Sequence, residues 1–346
     1  MKKIRVKLKK NSYDIVFAKG GLSRVGKRIR PLVKGKNAMI VTDDNVARLY
    51  LDTLRRSLEK QGFNVFEKVV ASGEQSKTAE TYLEIIDALG RAEFLRDDTV
   101  VALGGGVVGD MAGFAAATYM RGINLVQVPT SLLAMIDSSI GGKVGVDLIY
   151  GKNLLGAFYQ PKLVFVDVAT LKTLPEREWQ NGLGEGLKYA ILEGGRLFDI
   201  VNGETVNEDL EEFVSLCAAY KAKIVEQDER EAGPRRLLNL GHTLGHAIEK
   251  KSGFEIPHGE AVKYGLKLVL QASKRLEGAD ADDLNRALDM LAKYGADCPY
   301  GANELLSLAR NDKKAEDEGI NAVFVKKIGE CFVKKTDFEE FNRLFD

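Results

Sequence analysis

The chain is poor in the residues that staple small domains. Its 346 residues include three histidines, three cysteines, seven prolines and one tryptophan. Cys217, Cys298 and Cys331 are odd in number, far apart and without a CxxC pair. That excludes a disulfide framework or a cysteine zinc site and fits a reducing compartment. The cysteines and Trp179 read as packing residues. No apolar run approaches the roughly 18–20 residues that a membrane helix needs. The opening residues 1–8 (MKKIRVKL) alternate charged with apolar side chains, which reads as a half-buried strand and not as a signal peptide. A cytoplasmic protein is expected. Net charge is missing as well, because fifty Lys and Arg balance fifty Asp and Glu. The balance argues against a nucleic-acid or anionic-membrane partner and leaves a local basic pocket open.

The composition that remains, 45% hydrophobic and 29% charged, is that of an ordinary globular protein long enough for two domains. Residues 37–42, 64–69, 99–103, 124–128 and 163–166 read as buried strands. Residues 45–61 and 77–89 read as helices between them. Alternation of this kind implies a parallel sheet with helices on its faces. From about Leu174 the pattern turns helical, over 185–192, 210–227, 239–250, 259–276 and 282–294, with few strand candidates before 321–325. The boundary is expected at 173/174, near Pro175, which suits a helix start. Residues 310–319 read as a charged loop.

The strongest local signal is 100–110 (VVALGGGVVGD), a strand running into a glycine loop and a small-residue helix. Glycine lets backbone amides at a helix start approach a phosphate. The spacing is neither GxGxxG nor a P-loop, and the alternative reading is a tight turn. Asp43-Asp44-Asn45 follows a strand, where a carboxylate can cap a helix or accept a ribose hydroxyl. The loop 72–78 (SGEQSKT) offers a carboxylate and an amine, as cap or as site. Glycine-flanked lysines at Gly142-Lys143 and Gly151-Lys152-Asn153 read as strand-to-helix junctions facing a ligand.

All three histidines fall between 242 and 258. His242 and His246 lie one turn apart on a helix face, His258 follows, and Glu185 stands in Gly184-Glu185-Gly186. Three nitrogen and oxygen ligands with one open position describe a catalytic zinc-type site. Spacing leaves open whether His246 is a ligand, and this His-x3-His lacks the Glu of a zincin motif. Arg235, Arg236, Asn239 and His242 crowd one stretch, which can also hold an anion.

These motifs are collinear along nearly the whole chain with those of the 3-dehydroquinate synthases, which it resembles. The matching stretches are 73–77 (GEQSK), 103–110, 128–143 (VPTSLLAMIDSSIGGK), 151–161 (GKNLLGAFYQP), 174–177, 185–189, 238–249 (LNLGHTLGHAIE), 258–262 (HGEAV) and 312–314. The resemblance implies an α/β, Rossmann-like NAD-binding domain over 1–173 and an all-α domain binding metal and substrate over 174–346, with the active site in the cleft between them. It implies a homodimer that converts 3-deoxy-D-arabino-heptulosonate 7-phosphate (DAHP) to 3-dehydroquinate and phosphate, with tightly bound NAD and zinc or cobalt. NAD is oxidant and then reductant, without net redox change, and the substrate phosphate assists its own departure as base.

By residue, the resemblance assigns the metal to Glu185, His242 and His258, and moves His246 to the substrate. The NAD contacts are Asp43, Asn45, Glu74, Lys77, Gly105, Gly106, Asp110, Thr130, Ser131 and Lys143, with Lys152, Thr170 and Thr173 on the nicotinamide and ribose side. Substrate contacts are Asp137, Lys143, Asn153, Lys188, Lys221, Arg235, Asn239, His246 and one of Lys313 or Lys314. Arg121 resembles the arginine that reaches the phosphate in the neighbouring subunit. A substrate bearing carboxylate and phosphate accounts for a cationic pocket in a neutral protein. Two departures stand out: Ser131 where threonine is more usual, and 143–147 (KVGVD) for the commoner KTGVN. Alternatives are a 2-deoxy-scyllo-inosose or valiolone-type cyclase, a metal-dependent polyol dehydrogenase of related fold, and a non-catalytic NAD-binding module. Lys221, Arg235 and Asn239 together favour a substrate with a carboxylate.

Overall fold

The computed structural model describes residues 2–312 and 320–345. Contacts divide the chain into one unit of Met1–Trp179 with Lys221–Glu229, and another of Gln180–Tyr220 with Arg230–Asp346.

The first unit is built on a seven-stranded sheet in the order β1-β2-β9-β6-β5-β3-β4. The strands are β1 (Lys3–Val6), β2 (Tyr13–Ala18), β3 (Asn37–Asp43), β4 (Asn64–Val70), β5 (Thr99–Gly104), β6 (Asn124–Pro129) and β9 (Leu163–Asp167). All pair in parallel except β1 with β2. Alternation along the strands sends side chains to opposite faces. Ala38, Ile40, Val101, Leu103, Val126 and Val128 meet α1 (Val25–Ile29) and α2 (Asp52–Glu59). Met39, Val41, Val100, Ala102 and Leu125 meet α3 (Ala79–Arg91) and α4 (Gly106–Thr118). Each buried Val, Leu, Ile or Met among them contributes about 1.5–3 kcal/mol of transfer free energy.

Three expectations need correction here. β4 is no buried strand: it is the sheet edge and most of its residues are exposed or half-buried. Residues 45–61 are not one helix, since a π-helical turn over Ala47–Leu51 separates Asp44–Val46 from α2. Lys143 and Lys152 stand at no strand-to-helix junction. They lie on an antiparallel hairpin of β7 (Lys143–Leu148) and β8 (Gly151–Phe158), whose Val144 and Val146 pack with α4 in the core. The glycine pair at 141–142, both at positive φ, turns the chain into that hairpin.

The second unit is helical. Its elements are α5 (Glu176–Glu193, from Gln180 onward), α6 (Gly195–Asn202), α7 (Leu210–Gln227, as far as Tyr220), α8 (His242–Lys251), α9 (His258–Ser273), α10 (Ala281–Lys293) and α11 (Ala302–Asp312). To these the structure adds one antiparallel hairpin, β10 (Ile320–Lys327) with β11 (Glu330–Thr336), and the short α12 (Phe338–Arg343). The hairpin is tied to α9 where Val325 N–H donates to Ser273 Oγ at 3.1 Å. Residues 310–312 close α11, and the rest of the expected loop, 313–319, lies outside the described residues. Among the described residues no helix is long and apolar enough to cross a membrane.

Candidate active site

In the first unit the sequence-predicted cofactor residues other than Lys143 and Lys152 follow the C-terminal ends of the parallel strands. The chain runs from β3 outward to β4 and returns to β5 on the other side of β3. A reversal of this kind opens the crevice where dinucleotides bind in open α/β sheets. Asp43 ends β3, and Gly105 caps α4 with no side-chain hydrogen bond to its first amides. A Cβ on Gly105 would lie 3.3 Å from Ser131 Oγ, and one on Gly106 3.1 Å from Ser138 Oγ. The bare backbone here forms a cradle that suits a phosphate. Asp43 Oδ1 accepts from the N–H groups of Asn45 and Val46 at 3.0 and 2.9 Å, which is the helix-cap reading of that residue.

Lys77, 5% exposed, follows the turn Glu74–Ser76. Its Nζ lies 2.7 Å from Asp110 Oδ2 and 2.6 Å from Asn153 Oδ1. Burial works against the ammonium charge, but Asp110 and Glu74 outweigh it and hold Lys77 above its ordinary pKa. Asn153 therefore keeps company with the cofactor set in this structure. Its left-handed backbone, φ +57°, is held by its own N–H to Asp147 Oδ1 at 2.7 Å. Asp147 is the unusual acid of the KVGVD departure. Thr130 is buried just after β6, and Ser131 follows it. Thr170 and Thr173 lie on the 3-10 stretch Val168–Thr173, both bonded to the hydroxyl of Tyr50. Asp137 lies in the π-helical turn Ala134–Ser138, and Lys221 contacts both its carbonyl oxygen, at 2.8 Å, and its carboxylate. Arg121 closes the turn Tyr119–Arg121, where residues 120–122 all have positive φ. Lys152 is exposed on β8.

In the second unit Glu185 is 1% exposed on α5. Its Oε1 lies 3.1 Å from His258 Nε2 and 3.3 Å from His242 Nε2. Lys188, one helical turn on and equally buried, brings Nζ to 2.5 Å from Oε2. That approach is an ion pair without hydrogen-bond alignment, so Oε2 is buried with no hydrogen bond. Burial favours the neutral acid, yet Lys188 and His242 overcome it and hold the carboxyl well below its usual range. Both imidazoles commit Nδ1 elsewhere: His242 to Leu240 O at 3.2 Å, His258 to Glu249 Oε2 at 3.1 Å. Two Nε2 atoms and a carboxylate oxygen therefore converge. Their 3.1 and 3.3 Å spacings are close to the ~3.3 Å between neighbouring ligands of a tetrahedral ion with bonds of about 2.0–2.1 Å. The donor set, two imidazole nitrogens and a carboxylate oxygen within 4.8 Å of one another, fits a divalent metal. His246, exposed one turn beyond His242, stacks on His258 with ring centroids 6.0 Å apart. Arg235 is buried, and Asn239 Nδ2 donates to Glu231 Oε1 at 3.0 Å. Lys313 and Lys314 lie outside the described residues.

The family model described as 3-dehydroquinate synthase N-terminal matches residues 67–181, and the C-terminal one matches 182–315. The chain belongs to the 3-dehydroquinate synthase family. A 3-dehydroquinate synthase of Clostridium acetobutylicum is 41% identical over 350 residues, 98% of each chain. Among solved structures, a 2-deoxy-scyllo-inosose synthase complexed with carbaglucose-6-phosphate, NAD+ and Co2+ superposes with a TM-score of 0.88. It is 24% identical and covers 99% of each chain, a likeness of fold. A 2-epi-5-epi-valiolone synthase from Streptomyces hygroscopicus subsp. jinggangensis with NAD+ and Zn2+ bound gives 0.85 at 26% identity, covering 98% of this chain and 97% of that one.

Several residues that shape this 3-dehydroquinate synthase family site escaped the sequence reading. Glu231 and Glu249 are partners of assigned residues. Glycines matter more. A Cβ on Gly184 would lie 1.9 Å from Gly259 O, one on Gly259 1.8 Å from Asn181 O, and one on Gly265 2.1 Å from Gly241 O. Bare backbone lets α5 press on α9, and α9 on the start of α8, beside the three ligands. The available signal was a glycine next to each of them, at Gly184, Gly241 and Gly259.

Proposed function

We propose that this chain converts DAHP to 3-dehydroquinate and inorganic phosphate, using NAD and a divalent metal, zinc or cobalt. The observation that carries the reading is the convergence of the half-buried His242 and His258 on the buried Glu185 carboxylate beside Lys188, in a chain of this family. The cofactor pair is also what the two structurally similar cyclases hold. The division of labour proposed is 1–173 for NAD and 174–346 for metal and substrate.

When bound, the dinucleotide supplies a reversible hydride acceptor and the metal a Lewis acid that polarises the carbinol and the transient ketone. The chain's own residues do the rest. Glu185, His242 and His258 would hold the ion, with Lys188 balancing the Glu185 charge at Oε2. Asp43, Asn45, Glu74, Lys77, Asp110, Thr130, Ser131, Lys152, Thr170 and Thr173 would line the dinucleotide, with the amides at Gly105 and Gly106 on its phosphates. The Lys77–Asp110–Asn153 contacts fix those groups in place before any ligand arrives. Lys143, Lys221 and Arg235 would meet the carboxylate and phosphate of the substrate, joined by Asn153, Asn239 and His246. Asp137 holds Lys221 Nζ, so its position is set by two acceptors and not left to a flexible stem. The phosphate leaves in a charged, oriented setting, and ring closure requires chiefly that one conformer be held. No side chain is assigned as general base.

A homodimer in the cytoplasm completes the reading. Three consecutive positive-φ residues at 120–122 cost about 1–3 kcal/mol at each non-glycine position. Such a turn supports a defined presentation of Arg121, here to the phosphate in a second copy.

The test is phosphate release from three substrates by the purified protein. DAHP is turned over, and glucose 6-phosphate and sedoheptulose 7-phosphate are not, because only DAHP offers the carboxylate that Lys221, Arg235 and Asn239 would bind. The reverse order would reject the assignment in favour of another sugar-phosphate cyclase.

A further inference from the structure

We infer that Glu249 positions His258 as a metal ligand, fixing its ring and tautomer from behind without touching the ion. The inference rests on the metal reading above and deepens it. Glu249 is 4% exposed on α8, seven residues after His242 and so on the same helical face two turns away. Its Oε2 lies 3.1 Å from His258 Nδ1, while the other ring nitrogen, Nε2, lies 3.1 Å from Glu185 Oε1. The imidazole is thus clasped between two carboxylates, one at each nitrogen.

A buried carboxylate requires a partner, and the only hydrogen that the His258 ring can offer Glu249 is the one on Nδ1. With Nδ1 donating to Glu249, Nε2 is the nitrogen turned to Glu185 Oε1, as a second N–H donor in the metal-free ring and as a lone pair for the ion once a cation takes that proton's place. Glu249 therefore orients the ring, selects the tautomer and raises the electron density of the ligating nitrogen, as carboxylates behind metal-bound histidines do. His242 is held the same way by a neutral acceptor, the Leu240 carbonyl. The two imidazoles are consequently unequal, with His258 the stronger donor. Glu249 also lies with His246 and His258 in a group whose ligand atoms fall within 4.8 Å. In that group, however, the atom turned towards Glu249 is Nδ1, the nitrogen opposite the Glu185 site.

The experiment measures zinc dissociation constants of the metal-free chain by competition with a chromophoric chelator, for wild type, Glu249→Gln, Glu249→Ala and His258→Ala. Circular dichroism of each metal-free variant checks folding, and Co2+ absorption spectra report the ligand set. Glu249→Ala weakens zinc binding roughly 10- to 100-fold with the Co2+ band shifted but present. Glu249→Gln, which keeps an acceptor and loses the charge, weakens it less. Zinc constants of both variants within about two-fold of wild type would overturn the inference, against the loss expected on removing such a partner. So would loss of zinc and of the Co2+ band in Glu249→Ala as complete as in His258→Ala, since that would make Glu249 a ligand. If Glu249→Ala fails to fold, the Gln variant decides by the same criterion. A wild-type chain that takes up no zinc at all is a different result, and would sink the metal reading together with this inference.

Discussion

Replacing Gly184 by alanine puts a methyl group where the backbone of a neighbouring helix already lies. The new Cβ would stand 1.9 Å from Gly259 O and 2.4 Å from Gly259 C, and real Cβ contacts do not fall below 3.0 Å. Backbone cannot swing aside as a side-chain tip can. The helices α5 and α9 must therefore part by about 1 Å, and overpacking of this sort costs about 1–3 kcal/mol. Because Gly184 adjoins Glu185 and Gly259 adjoins His258, the same displacement opens the 3.1 Å approach of two proposed ligands. The intrinsic helix preference works the other way, favouring alanine over glycine by about 1 kcal/mol. Gly90, on α3 with nothing within 4 Å of an added Cβ, isolates that term. Thermal melts of the metal-free chains thus carry opposite signs. Gly90→Ala gains about 0.5–1 kcal/mol. Gly184→Ala loses up to about 2 kcal/mol net, a fall of up to roughly 3 °C for a chain of this length. Zinc titration of Gly184→Ala shows at least a roughly tenfold loss, since a ~1 Å misplacement is felt strongly at a site. A Gly184→Ala chain that melts at or above wild type and binds zinc equally well would refute the close-packing argument.

Lys77→Met removes the counter-charge of Asp110, whose carboxylate is 18% exposed, and destabilises the chain by up to about 3–5 kcal/mol in denaturant melts. Adding Asp110→Leu restores part of that loss; a double variant no better than the sum of the two singles would contradict the pairing. His242→Ala abolishes zinc binding in equilibrium dialysis while NAD affinity stays near wild type, because the proposed NAD residues all fall in the other unit; equal loss of both would argue against the division of labour. In the metal-free protein burial works to lower the His258 pKa, but Glu185 and Glu249 outweigh it and push it up to about 10. The imidazolium thus stabilises the metal-free form fully below its unfolded value of about 6.5, and that stabilisation fades as pH rises through about 10. Zinc must displace this proton, so its affinity rises with pH across that window. Calorimetry in two buffers of different ionisation heat should show about one proton released per ion near pH 8, and pH-independent affinity would count against the clasped imidazole.

What the sequence disclosed and what it concealed follow from the range of the interactions. Strands such as β5, with six buried residues in a row, announce a parallel sheet because both faces are covered. The metal candidates were legible because three histidines fall within one short stretch and two lie a helical turn apart. β4 misled, since Val65, Phe66, Val69 and Val70 look like a core strand until the topology puts them at the edge. The Gly151–Asn153 segment misled for a related reason: glycine next to lysine marks a turn but does not say whether a helix or a strand comes next. Partnerships across long separations were invisible. Lys77 finds Asn153 76 residues away, and Lys221 finds Asp137 across 84. The glycines that bring α5, α9 and the start of α8 together carry no side chain, so no chemical type marks them.

The central claim is a reaction that consumes no net oxidant yet needs both a dinucleotide and an ion. It is tested most directly by following released phosphate and nicotinamide absorbance together in one cuvette, with DAHP and catalytic NAD, before and after chelation. The account predicts phosphate in step with dehydroquinate, no accumulation of NADH, arrest by the chelator and recovery with added Zn2+ or Co2+. NADH rising in proportion to product, or phosphate release indifferent to the chelator, would contradict it.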